Sequence, residues 1–271
     1  MKYGFVIPTG FPLEIAGLAA EAEDAGWDGA FYWDGIDAGP DRPVFDPWVT
    51  MTAMAMRTNH IRIGAIISPL SRRRPWKVAR ETITLDHVSN GRLILPVGLG
   101  AVDTFGDVGE MTDRRTRAEL LDESLAILEG LWSGEPFRYA GKHYRLGEMT
   151  FAPPPVQRPR IPVWPIGAWP HERSLRRAIR YDGMIVEPHG EDLSPDLIRK
   201  VADWIGAHRP SDEPFDLIVS GTTPGGDLAA ARPVDALADA GATWWLEEKW
   251  DEPNGVEVVR TRIRQGPPRS G

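Results

Sequence analysis

Carboxylate side chains stand at the ends of several short apolar runs in this chain. Asp34, Glu187 and Glu247 each end such a run, and Asp103 follows another. Two carboxylates placed together can act as general acid and base, for example in glycoside hydrolysis. Each can equally bind a helix N-terminus or a nearby arginine, and the spacing does not say which pair comes together. The residues therefore leave a carboxylate-pair hydrolase open as one hypothesis.

Two glycine-containing segments predict an anion-binding site. Val97-Gly-Leu-Gly-Ala101 and Ile166-Gly-Ala-Trp169 each follow an apolar run, and Ser174 falls in the first turn of the helix predicted after the second segment. Backbone amides in such loops can bind phosphate. The basic run Arg72–Arg74 can hold a charged tail or simply form a solvated loop. Together these features favour an anionic ligand that carries a phosphate group.

Other chemistries find little support in the residues. His171 and His189 could join a metal site with Asp182 and Glu191, but the chain contains neither an HExxH nor an HxH pattern, so we predict no metal. A serine triad is not favoured because no GxSxG segment is present. The absence of cysteine excludes a thiol nucleophile, an iron–sulfur cluster and a thiolate zinc site.

Composition is that of an ordinary soluble protein. The chain has 271 residues, of which 42% are hydrophobic and 26% charged, with a net charge of −8. Nucleic-acid binding needs a basic face, so no nucleic-acid partner is expected. The amino-terminal segment lacks the apolar core of a signal peptide, and no apolar run approaches the ~18 residues of a membrane-spanning helix. We expect a cytoplasmic protein without membrane contact.

Short apolar runs alternate with amphipathic segments along the whole chain, which predicts eight strand–helix units. The predicted strands are Tyr3–Ile7, Gly29–Trp33, Ile61–Ile67, Arg92–Val97, Ile161–Ile166, Gly183–Glu187, Phe215–Val219 and Ala242–Glu247. The predicted helices are Leu13–Ala25, Pro47–Arg57, Pro75–Ser89, Arg114–Ser133, Pro170–Tyr181, Leu197–His208, Pro233–Ala240 and Val256–Gln265. Strands that alternate with helices form a parallel sheet.

Eight such units predict an α/β protein with a single (β/α)8 barrel domain over residues 1–271. Residues 134–160 interrupt the alternation with a predicted hairpin around Gly141 and a proline-rich linker. The alternative, an open doubly wound sheet with a cap, would need a glycine fingerprint after the first strand. Pro8-Thr-Gly-Phe-Pro12 does not provide one.

Tryptophan is abundant, with 11 residues. Trp33, Trp169 and Trp245 stand near predicted strand ends, where they are expected to help line an aromatic pocket. Trp164 and Trp244 lie within predicted strands and can face either the barrel interior or the helix layer. Core packing is the alternative for each of them.

An ordered series of segments gives the chain a family resemblance. The segments are Asp46-Pro-Trp-Val-Thr-Met-Thr-Ala-Met-Ala, Thr58-Asn-His-Ile-Arg-Ile-Gly64, Arg74-Pro-Trp-Lys-Val-Ala-Arg-Glu81, Thr84-Leu-Asp-His-Val-Ser-Asn-Gly-Arg-Leu93, Leu131-Trp-Ser-Gly134, Pro154-Pro-Val-Gln-Arg-Pro-Arg-Ile-Pro162, Arg177-Ala-Ile-Arg-Tyr-Asp-Gly183 and Ala240-Gly-Ala-Thr-Trp-Trp245. The series resembles the bacterial luciferase-like flavin-dependent oxidoreductases, including their deazaflavin-dependent branch, and covers nearly the whole chain.

The resemblance implies a (β/α)8 barrel that binds FMN or coenzyme F420 and acts on a small organic substrate by hydride transfer or oxygen activation, with a homodimer as a further expectation. It implies a cis peptide bond at the end of the third strand, at Ile66–Ile67, behind the cofactor ring. The cofactor-binding positions that it implies are Ile66, Ile67, Ser68, Gly98, Leu99, Gly100, Gly167, Ala168 and Trp169. The last three would meet the cofactor phosphate.

Two positions depart from the family pattern. Many members carry Asp-His after the second strand, whereas this chain has Asp34-Gly35, so the usual proton-transfer residue is missing. Asp34, Glu187 or His189 could replace it as a catalytic residue, and a non-catalytic flavin- or deazaflavin-binding protein is the alternative. Ala101 stands where several deazaflavin enzymes carry glutamate, which leaves the choice between FMN and F420 open.

Overall fold

The computed structural model describes residues 1–40, 42–101, 105–211, 213–225, 231–250 and 255–269. Asp103, one of the residues that follow a predicted strand, lies outside these ranges. None of the helices in the described ranges combines the length and the apolar character that crossing a bilayer requires.

Strands and helices alternate along the described chain. The strands are β1 (Lys2–Val6), β2 (Gly29–Tyr32), β3 (Arg62–Ala65), β4 (Ser68–Pro69), β5 (Leu95–Gly98), β6 (Phe137–Ala140), β7 (Arg145–Met149), β8 (Val163–Trp169), β9 (Gly183–Pro188), β10 (Asp216–Gly221) and β11 (Trp244–Glu247). The helices are α1 (Pro12–Asp24), α2 (Pro47–Arg57), α3 (Pro75–Val88), α4 (Arg114–Trp132), α5 (Glu172–Ala178), α6 (Pro195–His208), α7 (Ala231–Asp239) and α8 (Gly255–Arg264).

The main sheet is a parallel barrel. Among the described residues it contains nine strand segments in the order β3-β2-β1-β11-β10-β9-β8-β5-β4. A parallel bridge between Ile63 and Leu93 joins β3 to the segment that leads into β5. Because β3 and β4 are consecutive parts of one barrel strand, interrupted at Ile66–Ile67, the nine segments correspond to eight barrel strands. The predicted (β/α)8 barrel is confirmed.

Large side chains fill the barrel interior, which is therefore a packed core rather than a pore. Phe31, Trp164 and Trp244 contact one another there, with ring centroids 5.0–6.2 Å apart. The inner cluster consists of Val6, Phe31, Ile94, Trp164, Ile185, Ile218, Trp244 and Leu246. Trp164 and Trp244 thus face the interior, which settles the question that the sequence left open.

A second, larger apolar cluster lies between the barrel and the helices. Side-chain oxygens cap the start of three of these helices: Asp46 accepts the N–H of Val49 and Asp113 that of Thr116, while Ser194 caps α6 in the same way. Such caps satisfy backbone donors that have no partner inside the helix. Each cap thereby stabilises the amino-terminal end of its helix.

The segment 134–160 packs against α4. Strands β6 and β7 pair antiparallel in it. The Glu123 carboxylate on α4 accepts the backbone N–H groups of Lys142, His143 and Tyr144 at 2.7, 3.1 and 2.9 Å. Glu119, one helical turn earlier, pairs with Lys142 and His143, and these hydrogen bonds lower the pKa of Glu119 to about 2. The hairpin is therefore held at the outer surface of the barrel.

Candidate functional site

Alternation along the strands identifies the side chains that face the open carboxyl end of the barrel, which we call the mouth. On β11, Trp244 and Leu246 belong to the inner cluster, and Glu248 occupies the next inward position. On β10, Ile218 belongs to the inner cluster, and Ser220 is the next inward residue. Because successive side chains point to opposite faces of a strand, Glu248 and Ser220 lie at the mouth, one layer above the core.

Four half-buried apolar side chains cover the top of the inner cluster. They are Ile66, Ile67, Ile166 and Trp250, and we call them the apolar floor. The Ile66–Ile67 peptide bond is cis, at the position that the family resemblance implies. A Cβ atom at Gly98 would lie 2.3 Å from Cδ1 of Ile67, so glycine at this position leaves room for the floor.

Asp34 is buried in an ion-pair cluster. Its carboxylate, 1% exposed, accepts hydrogen bonds from the guanidinium groups of Arg72 and Arg73, the latter at 3.0 and 2.8 Å. Burial raises the pKa of Asp34, and the two arginines oppose that rise. The interpretation of Asp34 as a proton-transfer residue, and of these arginines as holders of a ligand tail, therefore needs correction: they bind one another.

The side chain of Trp33 occupies the space beside position 35. A Cβ atom at Gly35 would lie 2.2 Å from the Trp33 ring. The indole N–H of Trp33 donates to the carbonyl of Pro8 at 3.0 Å, and the ring meets Trp250 edge-on at 5.9 Å. We call Trp33 and Trp250 the aromatic wall of the mouth. Position 35 thus has no room for a histidine while Trp33 keeps this conformation.

Glu247 points away from the mouth. Its carboxylate is fully buried and accepts hydrogen bonds from Thr223 N at 2.7 Å, Thr223 Oγ1 at 2.8 Å and Trp245 Nε1 at 3.0 Å. Arg262 of α8 forms an ion pair with it at 3.3 Å. Two expectations are corrected here, because Glu247 is not a free member of a carboxylate pair and Trp245 packs on the helix side of the sheet.

Glu187 and His189 lie together at the rim of the mouth. The Nε2 atom of His189 is 3.8 Å from the Glu187 carboxylate, and the two side chains are 41% and 55% exposed. The His171 ring lies 5.3 Å from that of His189. No group of three or more histidine, aspartate or glutamate side chains in the described part of the chain is arranged to hold a metal ion.

The three predicted ligand residues at the end of β8, Gly167, Ala168 and Trp169, face different parts of the molecule. A Cβ atom at Gly167 would lie 2.0 Å from Sδ of Met184, so this position faces the helix layer. The N–H of Ala168 donates to Ser174 Oγ at 3.0 Å. The half-buried Trp169 donates its indole N–H to Glu191. Arg173 is exposed beside this turn, and among the described residues no hydrogen bond or ion pair engages its side chain.

A buried arginine of α4 binds the backbone that follows β5. Arg117 of α4 donates to the carbonyl oxygens of Leu99 and Gly100, the latter at 2.5 Å. Gly100 has a φ of +74°, a conformation that glycine adopts without strain. The guanidinium groups of Arg117 and Arg72 lie over the ring of Phe105, 4.8 and 5.5 Å from its centroid. This packing fixes Leu99 and Gly100 beside the mouth.

Ser68 contributes little polar surface to the mouth. It pairs in register with Val97, whose side chain belongs to the helix-side cluster, and it is fully buried. Side chains in register on neighbouring parallel strands share a face, so the Ser68 hydroxyl points away from the mouth. Only the backbone of Ser68 is left to meet a ligand there.

The sequence places Glu248 after the eighth predicted strand, but sequence reasoning assigned no role to Glu248 or to Arg173. Burial raises the pKa of Glu248, and the negative charge of Glu247 raises it further. Hydrogen bonding by the Trp250 and Ser220 side chains opposes this rise. Strict alternation from Trp244 along the eighth strand was the signal that could have found Glu248. Arg173 carries no such signal, because a basic residue on a short helix is common on protein surfaces.

A separate cavity of about 310 Å³ lies against α8, outside the apolar floor. Its lining residues are Pro224, Lys249, Glu257, Val258, Thr261, Arg262 and Gln265.

Comparison with protein families gives a match to the luciferase-like monooxygenase model over residues 1–250. A relative from Mycobacterium tuberculosis, an F420-dependent hydroxymycolic acid dehydrogenase, is 30% identical over 89% of this chain and 66% of its own length. An F420-dependent glucose-6-phosphate dehydrogenase from Nakamurella multipartita is 30% identical over 56% of this chain and 45% of its own. The chain thus spans about half to two thirds of the length of these relatives.

Solved structures show the same fold at low identity. The F420-dependent tetrahydromethanopterin reductase from Methanopyrus kandleri superimposes with a TM-score of 0.79 at 18% identity, covering 98% of both chains. The FMN complex of the oxygenating constituent of 3,6-diketocamphane monooxygenase from Pseudomonas putida gives 0.77 at 15% identity, covering 98% of this chain and 96% of that one. With its barrel and its family match over residues 1–250, the chain belongs to the luciferase-like monooxygenase family.

Proposed function

We propose that this chain is an FMN- or F420-dependent oxidoreductase that acts on a small organic substrate by hydride transfer or oxygen activation. The observation that carries the proposal is the half-buried apolar floor at the mouth of a barrel of this family. Apolar side chains that stay partly exposed in a concave site are typical of ligand-binding pockets. The working face of such barrels is the carboxyl end of the strands.

The chemistry of the mouth fits a flat ring with an anionic tail. Ile66, Ile67 and Ile166 offer an apolar surface to one face of a ring, and the aromatic wall of Trp33 and Trp250 stands beside it. When bound, a flavin or deazaflavin supplies the hydride or oxygen chemistry, while the protein supplies binding and orientation. The segment Gly98–Gly100, held by Arg117, borders this space.

The phosphate would bind at the end of β8. Arg173 is exposed there, and Ser174 bonds to the backbone of the same turn, near the predicted ligand positions Gly167, Ala168 and Trp169. Arg72 and Arg73 are occupied by Asp34 and are not proposed as phosphate ligands. The names of the relatives and structural neighbours include both F420 and FMN, so both cofactors remain in the proposal.

A titration with each cofactor tests the proposal. Absorbance changes on addition of FMN or F420 should report binding of one of them at micromolar concentration. Turnover of the bound cofactor with candidate carbonyl, alcohol or oxygen-dependent substrates then separates an oxidoreductase from a non-catalytic binder. Failure of both cofactors to bind at micromolar levels would contradict the proposal.

The phosphate site has its own test in Arg173→Ala. Removing an unpaired cation from an anion site should weaken FMN or F420 binding by about ten- to a hundredfold, since charged hydrogen bonds contribute about 1.5–3 kcal/mol. Riboflavin, which lacks the phosphate, should bind both proteins equally. Arg176→Ala is the matched control, because this exposed arginine of the same helix already pairs with Glu172. Equal loss of riboflavin and FMN affinity would place the phosphate elsewhere.

A further inference from the structure

We propose that Glu248 is the acid–base residue of the mouth and exchanges a proton with the oxygen atom of a carbonyl or hydroxyl substrate bound above the apolar floor. This inference rests on the proposed function and adds to it the residue that moves the proton. It also gives the chain a replacement for the histidine that it lacks after Asp34.

The backbone around Glu248 fixes the direction of its side chain. Its N–H donates to the carbonyl of Gly221 at 2.8 Å, and its own carbonyl accepts the hydroxyl of Thr222 at 2.5 Å. The first bond belongs to the Gly221–Glu247 pair that ends the β10–β11 ladder, and the second, from the Thr222 side chain, fixes the backbone just beyond it. The alternation that places Leu246 inside and Glu247 outside therefore still holds at Glu248, which faces the mouth.

The carboxyl group of Glu248 lies beside the residues that would contact a ligand. Trp250, whose side chain opposes the rise in the pKa of Glu248, belongs both to the apolar floor and to the aromatic wall. Ser220, which acts on that pKa in the same direction, is the neighbouring inward residue on β10. Neither is a charged partner, so a lone pair of the Glu248 carboxylate stays available for a substrate proton. Glu248 thus differs from Asp34, whose carboxylate is ion-paired with two arginines.

The charged groups around Glu248 come from its own segment, from α8 and from the loop after β2. On its own segment the charged neighbours are Glu247, which is paired with Arg262 of α8, and Lys249. From the loop after β2, Arg42 donates to the carbonyl of Trp250 at 2.5 Å. Burial and the Glu247 charge raise the pKa of Glu248 from its ordinary value. A carboxyl group with a raised pKa is better matched to proton exchange near neutral pH.

The proton step balances with a bound reduced cofactor as the hydride source and solvent as the final proton source. In the reducing direction the carboxyl O–H bond of Glu248 breaks and an O–H bond forms on the substrate oxygen, so that a carbonyl becomes an alcohol. The accompanying hydride to the substrate carbon would come from a reduced flavin or deazaflavin held against the apolar floor of Ile66, Ile67 and Ile166. The Glu248 carboxylate, stabilised by Ser220 and Trp250, then takes a proton from solvent. In the oxidising direction the same bonds form and break in reverse.

Glu248→Gln tests the proposal through activity and binding together. Glutamine keeps the size of the side chain and an acceptor for Trp250, but it cannot exchange the proton. We expect kcat to fall by about 10²-fold or more, the usual contribution of general acid–base catalysis, while cofactor affinity stays within about twofold. Glu129→Gln is the control, because Glu129 is also half-buried with a raised pKa but pairs with Arg160 away from the mouth. Unchanged kcat in Glu248→Gln would overturn the proposal.

A second readout does not depend on activity. In protein labelled with ¹⁵N-tryptophan, the indole N–H resonance of Trp250, assigned with Trp250→Phe, should shift with pH at a midpoint above 4.5, the ordinary pKa of glutamate. The shift should vanish in Glu248→Gln. A Trp250 resonance that titrates identically in both proteins would overturn the proposal. Failure of both cofactors to bind would contradict the proposed function but leave this titration unaffected.

Discussion

Gly35 and Trp33 show at the residue scale why no histidine follows Asp34 in this barrel. The Trp33 ring is fixed by its hydrogen bond to Pro8 and by its edge-on contact with Trp250. It fills the volume into which a Cβ atom at position 35 would project. Trp33 thus occupies the space that a side chain at position 35 would need. A histidine introduced at position 35 alone would therefore clash with this ring.

Gly35→His should destabilise the protein for this reason. Overpacking typically costs about 1–3 kcal/mol, and a domain of roughly this size loses about 2–4 °C of Tm per kcal/mol. Thermal unfolding followed by circular dichroism should therefore show a clearly lower Tm, and Trp33→Ala combined with Gly35→His should lose less than the sum of the two single changes. Gly17→Ala is the control, because nothing lies within 4 Å of its Cβ position. A wild-type Tm for Gly35→His would refute the steric account.

The sequence could locate the candidate site only in part. The carboxyl ends of the strands lie within three residues of where the pattern puts them, and the cis bond lies at Ile66–Ile67, as the family resemblance implies. The partners of Asp34 and Glu247 could not be predicted, because Arg72 and Arg262 come from other parts of the chain. The assignment of Glu187 and His189 as catalytic residues remains a prediction, to be separated from Glu248 by the same assay on their variants.

At the scale of elements, a single carboxylate joins the end of α1 to the segment before β3. Glu23 accepts the backbone N–H groups of Asn59, His60 and Ile61 at 2.9, 2.6 and 2.8 Å. Burial raises the pKa of Glu23, but the three backbone donors outweigh it, so the pKa lies below its ordinary value. The carboxylate form is therefore favoured in the folded protein.

Glu23→Gln should lose stability in a pH-dependent way. Because the pKa is lower in the folded state, the carboxylate stabilises the fold above the unfolded-state pKa of about 4.5, and the contribution is lost as pH falls through the folded-state pKa. Urea unfolding should give a deficit of about 1 kcal/mol at pH 7, allowing for solvent screening. The deficit should shrink below pH 4. Glu81→Gln, whose carboxylate pairs with the exposed Lys77 side chain, is the control. A deficit that does not change with pH would contradict this role.

Element boundaries show which parts of the fold the sequence pattern could predict. Apolar periodicity predicts α2 and α4 closely, since each has a capped start and a continuous buried face. It overextends the fifth helix, predicted as Pro170–Tyr181, because the backbone beyond Ala178 forms a tighter turn in which Tyr181 N–H bonds to the Ala178 carbonyl. The division of one barrel strand into β3 and β4 has no signature in hydrophobic periodicity.

At the scale of the whole molecule, the count of strand–helix units predicted the barrel. Which side chains fill the barrel interior could be read only from the structure. Phe31, Trp164 and Trp244 meet from three different strands, and alternation within each strand cannot say which face turns inward in a buried parallel sheet. The single-domain organisation over residues 1–271, the cytoplasmic location, the homodimer and the lack of a nucleic-acid partner remain predictions.

The central claim is that the mouth of this barrel binds a flavin or deazaflavin, and a crystal structure with the bound cofactor tests it most directly. We predict electron density for the ring against Ile66, Ile67 and Ile166, and for the phosphate beside Arg173 and Ser174. Cofactor density in the cavity against α8, or an empty mouth in crystals grown with saturating FMN and with saturating F420, would contradict the claim.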